Sequence, residues 1–367
     1  MKIGILKEPD FETRVSLLPE AVSILIRNGH EVFVESNAGI DAFASNDEYT
    51  KAGANITDAH LIKQECDIIL SMHPNSVMDV QSSILIGVYS PLSETSTLNI
   101  FASNRNTVFS MDMLPRTTRA QSMDILSSQA NIAGYKAVLL AATTYSRYFP
   151  MFMTAAGSIA PAKILILGAG VAGLQAIATA RRLGAVVEVF DTRPAVKEEV
   201  MSLGAKFIEV EGAADASSAG GYAVEQSEDF KLRQQARIAE SAAKADIIIT
   251  TAQIPGRKAP ILITQEMLNS MRKGSIIIDL AASTGGNTPL TKDNETVSYN
   301  GITIIGNSNL ARMMPADASK LYGKNIINFL QLITGNDATL HLNLEDDLVK
   351  GTCIMKEGSI IHERLSK

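Results

Sequence analysis

The chain has 367 residues, a length that favours two domains, and its hydrophobic and charged fractions of 46% and 20% are those of ordinary globular proteins. A net charge of −6 argues against a nucleic-acid partner, because phosphate binding needs a basic face. No apolar run approaches the ~18 residues that a membrane-spanning helix needs, and the N-terminus resembles a strand rather than a signal peptide. The two cysteines, Cys66 and Cys353, match no motif and indicate a reducing compartment.

Short apolar runs alternate with helical patterns along the chain, which is typical of parallel α/β proteins. In the N-terminal portion, residues 2–6, 31–35, 67–71, 84–89 and 107–110 are predicted strands, and residues 19–28 are a predicted helix. In the C-terminal portion, the predicted strands are residues 163–167, 186–190, 206–210, 246–250, 275–279 and 303–305. We expect an α/β fold with two Rossmann-like domains, whose parallel β-sheets are flanked by helices and joined by long helical connections.

A helical segment over residues 124–149 lies between the two groups of strands, and a last helix covers about residues 316–333. We expect this helix to pack back on the first domain, so that the domains are residues 1–126 plus 316–367 and residues 127–315. Residues 211–229 are rich in Gly, Ala and Ser and are too long for an ordinary connection. We interpret them as a mobile loop, the alternative being a passive surface excursion.

A glycine-rich loop follows the predicted strand 163–167, and its residues are Gly168, Ala169, Gly170, Val171, Ala172 and Gly173. The motif alone is weak evidence, but here a strand leads into it, an apolar helix follows, and the next strand ends at Asp191. In dinucleotide-binding loops of this kind, the first glycine permits a tight turn and the second lets the pyrophosphate approach the backbone. The third glycine lets the helix pack close to the strand, and the helix N-terminus attracts the pyrophosphate. The pattern predicts a Rossmann-type NAD(H) site.

Asp191 is placed to accept hydrogen bonds from the adenosine ribose, each contributing roughly 1.5–3 kcal/mol. A 2′-phosphate there meets like-charge repulsion on the order of 4 kcal/mol, so we expect NAD(H) to be preferred over NADP(H) by at least about a hundredfold. Thr192 and Arg193 follow and complete the predicted cofactor site. Arg193 is a signal in the other direction, since a nearby arginine can hold a 2′-phosphate.

Dinucleotide binding does not identify the reaction. A dehydrogenase acting on an alcohol or amine needs a general base, and His73, which follows the predicted strand 67–71, is the one suitable histidine. It is better explained as a loop histidine with solvent or backbone partners. Direct hydride exchange between two nicotinamides needs no such base.

A second informative stretch, residues 114–129, is polar and leads into the apolar helix. Its plain interpretation is a solvated loop with Ser127 or Ser128 capping that helix. Its sequence, with Pro115-Arg116 and then Arg119-Ala120-Gln121-Ser122-Met123-Asp124-Ile125-Leu126-Ser127-Ser128-Gln129, resembles the signature loop of the NAD(H)-binding component of proton-translocating nicotinamide nucleotide transhydrogenases. Further similar segments cover essentially the whole chain, among them residues 153–157, 173–180, 220–223 and 316–319.

The resemblance implies roles for particular residues. Arg116 and Ser127 match residues that hold the nicotinamide of NAD(H), Gln121 matches one that reaches the NADP(H) of a partner component, and Asp124 matches one that supports this arrangement. Tyr222, after Gly221 in the predicted mobile loop, matches a tyrosine that closes over the bound cofactor. Such a site holds two rings in near-attack geometry, which lowers the barrier without acid–base groups.

The resemblance also implies partners. NADP(H) is bound by a separate component carried on a membrane beta subunit, a membrane alpha component completes the assembly, and the NAD(H) component is a homodimer. Proton translocation then belongs to the membrane subunits, and this chain is a peripheral protein on the cytoplasmic face of a bacterial inner membrane. No metal site is expected.

The sequence departs from the family pattern at two places. Ser283 stands in residues 279–287 where relatives often carry a glutamate, and residues 307–309 replace a segment that often contains a histidine. The first substitution puts any role of an acid there in doubt.

Two alternatives remain. Lys7-Glu8 and Arg14-Val15 resemble the N-terminal pattern of alanine dehydrogenases. Such an enzyme needs a substrate-binding lysine, a catalytic histidine and an aspartate, and this constellation is absent, since the corresponding segments are Met72-His73-Pro74, Tyr89-Ser90-Pro91 and Ala282-Ser283-Thr284. The other alternative is an NAD-sensing subunit without catalysis, against which the intact Gln121 and Asp124 argue.

Overall fold

The computed structural model describes residues 1–212, 227–254, 256–335 and 338–365. The chain divides into two compact units. Unit 1 comprises Met1–Gln129 and Arg312–Lys367, and unit 2 comprises Ala130–Ala311.

The elements are numbered in chain order. The strands are β1 (Lys2–Ile5), β2 (Glu31–Glu35), β3 (Asn55–Thr57), β4 (Ile68–Leu70), β5 (Ile84–Gly87), β6 (Thr107–Ser110), β7 (Phe152–Thr154), β8 (Gly157–Ile159), β9 (Lys163–Leu167), β10 (Val186–Phe190), β11 (Lys206–Phe207), β12 (Ile247–Thr250), β13 (Ile276–Asp279), β14 (Glu295–Tyr299), β15 (Ile302–Gly306), β16 (Cys353–Lys356) and β17 (Ser359–Ile360). The α-helices are α1 (Pro19–Arg27), α2 (Asn46–Lys51), α3 (Ala59–Glu65), α4 (Thr95–Ser103), α5 (Ile125–Thr144), α6 (Val171–Arg182), α7 (Lys197–Ser202), α8 (Glu228–Ala242), α9 (Gln265–Ser270), α10 (Pro315–Ile333) and α11 (Asp347–Thr352).

Unit 1 is built on a sheet of order β3-β2-β1-β4-β5-β6-β16-β17. The strands from β3 to β6 are parallel, whereas β16 pairs antiparallel with β6 and β17 antiparallel with β16. The parallel strands are apolar on both faces because helices cover both sides, which is the usual situation of buried parallel sheets. The strand order reverses at β1, whose neighbours are β2 and β4.

Unit 2 repeats this topology in a sheet of order β11-β10-β9-β12-β13-β15-β14. All pairs are parallel except β14 with β15. The strand order reverses at β9, between β10 and β12. In doubly wound sheets, ligands bind outside the carboxyl ends of the strands at this reversal, so the residues that follow β9 and β12 are placed to form a site.

The α/β fold class predicted from the sequence is confirmed. The central strands lie where they are predicted, with shifts of one or two residues at their ends. The edges are less well predicted: the strand expected over 206–210 is only β11 (Lys206–Phe207), and β3, β14, β16 and β17 were missed, as was the separate two-stranded sheet of β7 and β8. The sheets are therefore mixed rather than wholly parallel, because antiparallel strands close one edge of each.

The predicted mobile loop at 211–229 falls mostly on residues 213–226, which lie outside the described residues, as do Gly221 and Tyr222. Its last residues are wrongly assigned, since α8 already begins at Glu228. The side chain of Ser227 caps that helix by accepting a hydrogen bond from the backbone N–H of Phe230 at 3.2 Å.

Candidate functional site

The glycine loop of unit 2 joins β9 to α6 at the point where the strand order reverses. Gly168 has φ +105°, a left-handed conformation that favours glycine, and a Cβ there would lie 2.4 Å from Thr251 Oγ1. A Cβ on Gly173 would lie 1.9 Å from the carbonyl oxygen of Gly168. These two glycines are therefore required by the protein's own packing, one for the turn and one for the close approach of α6.

Gly170 differs from both, because a Cβ built on it meets no atom within 4 Å and its φ of −78° suits any residue. Glycine at this position leaves open space in front of the N-terminus of the twelve-residue helix α6, which Gly170 caps without a side chain. The first backbone N–H groups of a helix have no partner within the helix and carry partial positive charge. The loop thus fits a pyrophosphate group of a dinucleotide.

Asp191 follows β10 and turns its carboxylate back to the glycine loop. Its Oδ2 accepts a hydrogen bond from the backbone N–H of Ala169 at 2.7 Å, which ties the end of β10 to the turn after β9. Arg193 donates to the same carboxylate from its backbone N–H (2.8 Å), Nε (2.9 Å) and Nη2 (2.7 Å). Thr192, half-buried, lies between them. The structure therefore brings Ala169, Asp191 and Arg193, three residues of the predicted cofactor site, together at one corner.

The neighbouring loops of unit 2 depend on two buried groups to which the sequence reasoning assigned no role. Asn287 is fully buried, accepts from the backbone N–H of Ala252, and donates to the carbonyl oxygens of Ala252 and Pro260. The carboxylate of Asp279 accepts from the backbone N–H groups of Ala281 and Asn287. The only sequence signal here was the Gly-Gly-Asn segment at 285–287, which is typical of a turn and whose two glycines have positive φ in the structure.

Ser283, where relatives often have an acid, is exposed, and its backbone N–H donates to Ser308 Oγ at 2.9 Å. Both departures from the family pattern thus lie side by side in unit 2.

The polar loop of unit 1 is held by helices of the same unit. The carbonyl oxygen of Ser122 accepts hydrogen bonds from the side-chain amides of Asn325 and Asn328 on α10, at 2.8 and 2.9 Å. Arg119 pairs with Asp346 at 2.6 Å and with Asp347, both at the start of α11. Arg116 and Gln121 are exposed, and Gln121 makes no side-chain hydrogen bond within the described parts of the chain. The loop thus presents Gln121 from an anchored backbone.

Asp124, rather than Ser127 or Ser128, caps α5. Its Oδ1 accepts from the backbone N–H of Ser127 at 2.9 Å, and its Oδ2 accepts from Ser127 Oγ at 2.6 Å. The expectation of a serine cap was therefore wrong, because the carboxylate lies directly before the first helical residue and the serine bonds to it. Asp124 and Ser127 have a structural task that fixes both side chains.

The carboxyl ends of β1 and β4 in unit 1 hold a cluster of buried charges. The Glu12 side chain is fully buried and accepts from Arg14 Nη2 at 2.7 Å and Arg312 Nε at 2.8 Å, with His73 Nε2 at 2.9 Å. Arg14 also donates to Gln129 Oε1 at 2.8 Å. His73, the one candidate for a general base, is thus hydrogen-bonded to Glu12 in this cluster, and its ring packs in a T-shaped arrangement with that of Phe11.

Glu8 lies beside this cluster with different partners. Its carboxyl accepts from the backbone N–H groups of Met72 (2.6 Å) and His73 (3.2 Å), and no cation contacts it among the described residues. Burial raises the pKa of Glu8 to about 8, against the opposing effect of the two backbone donors. Burial alone would also raise the pKa of Glu12, but its bonds to Arg14 and His73 hold that pKa well below the usual range. Of two glutamates four residues apart, one is therefore mostly protonated at neutral pH and the other is ionised.

Among the described residues, no three His, Cys, Asp or Glu side chains are grouped to hold a metal ion. None of the described helices combines the length and apolarity needed to cross a membrane.

Comparisons with known proteins agree with one another. The family described as alanine dehydrogenase/PNT matches the chain with its N-terminal domain at residues 4–133 and its C-terminal domain at residues 137–363. An NAD(P) transhydrogenase alpha-subunit chain of Rhodospirillum rubrum is 44% identical over 380 residues, covering 100% of this chain and 99% of the relative. The crystal structure of transhydrogenase from Sinorhizobium meliloti is 44% identical, covers 98% of this chain and 100% of its own, and has a TM-score of 0.89. An alanine dehydrogenase of Staphylococcus epidermidis is 26% identical over 345 residues, 91% of this chain and 87% of the relative.

Proposed function

This chain belongs to the alanine dehydrogenase/PNT family and, within it, to the alpha subunits of NAD(P) transhydrogenases, and on that basis we propose that it binds NAD(H) in unit 2. The bound cofactor exchanges a hydride with NADP(H) held by a partner component. The alternative of an alanine dehydrogenase has less support, since the identity falls from 44% to 26%.

The observation that carries the proposal is the shape of the glycine loop. Gly168 and Gly173 are glycines because the protein's own atoms leave no room, but Gly170 is a glycine with open space in front of it. A ligand that approaches the backbone explains that choice, and the N-terminus of α6 favours a ligand with negative charge. Asp191, tied to the same turn, supplies acceptors for ribose hydroxyls.

The chemistry asks little of the side chains. When bound, the nicotinamide of NADH would supply a hydride that leaves C4 with its bonding electron pair and joins C4 of NADP⁺, giving NAD⁺ and NADPH, and this transfer would need no acid or base from this chain. The task of the chain is orientation and exclusion of water, worth several kcal/mol when the reacting atoms are held in near-attack geometry. This fits a chain whose one candidate base, His73, is bonded to Glu12.

We assign roles to the polar loop of unit 1 by its similarity to the family. Arg116 and Ser127 serve the nicotinamide of NAD(H), Gln121 reaches the nucleotide of the partner component, and Asp124 holds Ser127 in place. The anchored backbone supports this assignment, because two asparagines fix Ser122 next to the exposed Gln121. Gly221 and Tyr222 remain expectations of the sequence.

The partners follow from the same assignment. NADP(H) belongs to a beta subunit in the membrane, a membrane alpha component completes the enzyme, and these subunits couple hydride transfer to proton translocation. The chain itself is peripheral, on the cytoplasmic face of a bacterial inner membrane.

A homodimer is supported by the hairpin of β7 and β8, whose residues are all exposed. Met153 is 73% exposed, and Phe152 and Ile159 face solvent opposite one another in the pairing. Clustered exposed apolar side chains of this kind mark protein interfaces, and a second copy of the chain is the proposed occupant.

The test begins with titration of the purified chain by NADH and by NADPH, followed through nicotinamide fluorescence. We expect NADH to bind at least about a hundredfold more tightly, and Asp191→Ala to weaken NADH binding by about ten- to a hundredfold. Mixing the chain with the NADP(H)-binding component of a related transhydrogenase should then give NADH-dependent reduction of NADP⁺. Rapid reduction of NAD⁺ with L-alanine by the chain alone would contradict the proposal.

A further inference from the structure

Asp191 has its hydrogen-bonding capacity filled by the protein. An ionised carboxylate accepts about four hydrogen bonds, two at each oxygen. Here Oδ1 accepts from the backbone N–H and Nε of Arg193, and Oδ2 accepts from the backbone N–H of Ala169 and Nη2 of Arg193. Two of these four donors are backbone groups in fixed positions, and the other two belong to one guanidinium.

The pairing is well sheltered from solvent. The Asp191 side chain is 6% exposed and that of Arg193 18% exposed, and the two Arg193 nitrogens grip both carboxylate oxygens in a fork. Side-chain hydrogen bonding to Asp191 also raises the pKa of Arg193. A paired, sheltered guanidinium of this kind is a strong anion-binding group that is already in use.

We propose that Arg193 is a specificity-determining residue: the corner contains a latent binding site for a 2′-phosphorylated adenosine, and Asp191 closes that site by occupying the arginine. The inference rests on the proposed NAD(H) site of unit 2. Asp191 then acts twice, since its charge repels a 2′-phosphate and its fork with Arg193 withholds the cation that would bind one.

To bind here, the ribose of NAD(H) displaces one of the groups already bonded to Asp191. A ribose diol needs acceptor positions on Asp191, and the backbone donors of Ala169 and Arg193 do not move out of the way. The guanidinium is the group that yields, and it turns within the same corner while its backbone N–H keeps Asp191 oriented. Glu199 also acts on Arg193 electrostatically and remains as a second, more distant negative charge.

The test compares adenosine 2′,5′-bisphosphate with 5′-AMP, and NADPH with NADH, in calorimetric titrations of four proteins: the unmodified chain, Asp191→Asn, Arg193→Gln and the double variant. Asn has the size of Asp but no charge, so it frees the guanidinium. We expect Asp191→Asn to bind the 2′-phosphorylated ligands about ten- to a hundredfold more tightly than the unmodified chain does. The double variant should lose that gain, because the arginine that supplies it is gone.

Asp191→Ser, which keeps an acceptor for the Ala169 N–H, is the second variant if Asp191→Asn unfolds, with thermal melting as the check on both. The gain should also shrink as salt rises from about 50 to about 500 mM, since it rests on charge. An Asp191→Asn or Asp191→Ser protein that is folded and gains no affinity for 2′-phosphorylated ligands overturns the inference, as does a gain that survives Arg193→Gln. Failure of the proposed function is a separate result, namely an unmodified chain that does not bind NADH.

Discussion

In both units the strand order reverses at one central strand, β1 in unit 1 and β9 in unit 2, but the chain leaves these two strands through different kinds of loop. After β9 it turns through Gly168 and leaves open space at Gly170. After β1 it continues into a segment whose Glu8 and Glu12 fill the corresponding place, bonded to groups that follow β4. The same topology thus leaves an open crevice in unit 2, whereas buried polar side chains fill the corresponding crevice in unit 1.

The difference shows what decides whether the crevice of a doubly wound sheet is open to a ligand or filled by side chains. Carboxyl ends of parallel strands form a crevice wherever the order reverses, and the loop residues decide what occupies it. Glycines carry no side chain, so a ligand can approach the backbone, whereas the long side chains of Glu8 and Glu12 fill the crevice with the protein's own atoms. Substitutions in the two crevices test this contrast, and they differ in how strongly they should affect stability.

Glu12→Gln should destabilise unit 1 by about 3–5 kcal/mol, because it leaves two arginines and a histidine around a neutral group in a buried site. Hydrogen exchange of the β1 and β4 amides, compared with the unmodified chain, measures the loss. The matched control is Glu65→Gln, whose solvent-exposed pair with Lys2 is screened by water and should contribute little to stability. Equal effects of the two substitutions would show that the charges do not hold this crevice closed.

Glu8→Gln tests the protonated glutamate of this crevice through the pH dependence of stability. The pKa of Glu8 is about 8 in the folded chain and 4.5 in the reference state, so the native state holds the proton more tightly. The stabilisation that this proton provides is therefore complete below about pH 4.5, and about 2–5 kcal/mol of it is lost as pH rises to about 8. Glutamine does not titrate, so the free energy of unfolding of the variant, measured in urea relative to the unmodified chain, should rise steadily across this pH range. A constant difference between about pH 5 and pH 8 would mean that Glu8 is already ionised at the lower pH.

Gly173→Ala and Gly170→Ala form a pair that separates packing from ligand binding in unit 2. The first places a methyl group 1.9 Å from a backbone oxygen and should cost about 1–3 kcal/mol in stability. The second meets nothing within 4 Å and should leave stability equal or raise it by about 0.4–1 kcal/mol. It should still weaken NADH binding by roughly ten- to a hundredfold, since the pyrophosphate loses its approach to the backbone. Thermal melts measure stability, and fluorescence titrations measure NADH affinity. Undiminished NADH affinity in Gly170→Ala would show that the pyrophosphate does not bind at this loop.

The sequence was a good guide where one local pattern decides the structure. The strands β9 and β10, the glycine turn between β9 and α6, and Asp191 at the end of β10 lie where the pattern predicts, because glycine spacing and apolar runs act over a few residues. The buried cluster in unit 1 was not predicted, because Glu12, His73 and Arg312 are brought together only by the fold and each alone resembles an exposed polar residue. The cap of α5 was assigned to a serine for a related reason, since Asp124 and Ser127 are both good capping residues and only their mutual bond distinguishes them.

Gln121→Asn should have the smallest effect on the fold and a large one on the reaction. Gln121 is exposed and unbonded among the described residues, so shortening it by one methylene should change stability by less than about 0.5 kcal/mol. NADH affinity should also hold, because the glycine loop and Asp191 are unchanged. Hydride transfer to NADP⁺ in the complex with the partner component should fall by about a hundredfold, since a misplacement of about 1 Å is enough for such a loss. Ser122→Ala, which keeps the backbone carbonyl that Asn325 and Asn328 hold, is the control and should turn over normally. Single-turnover rates with saturating NADH measure the step. An unchanged rate in Gln121→Asn would show that Gln121 takes no part in hydride transfer.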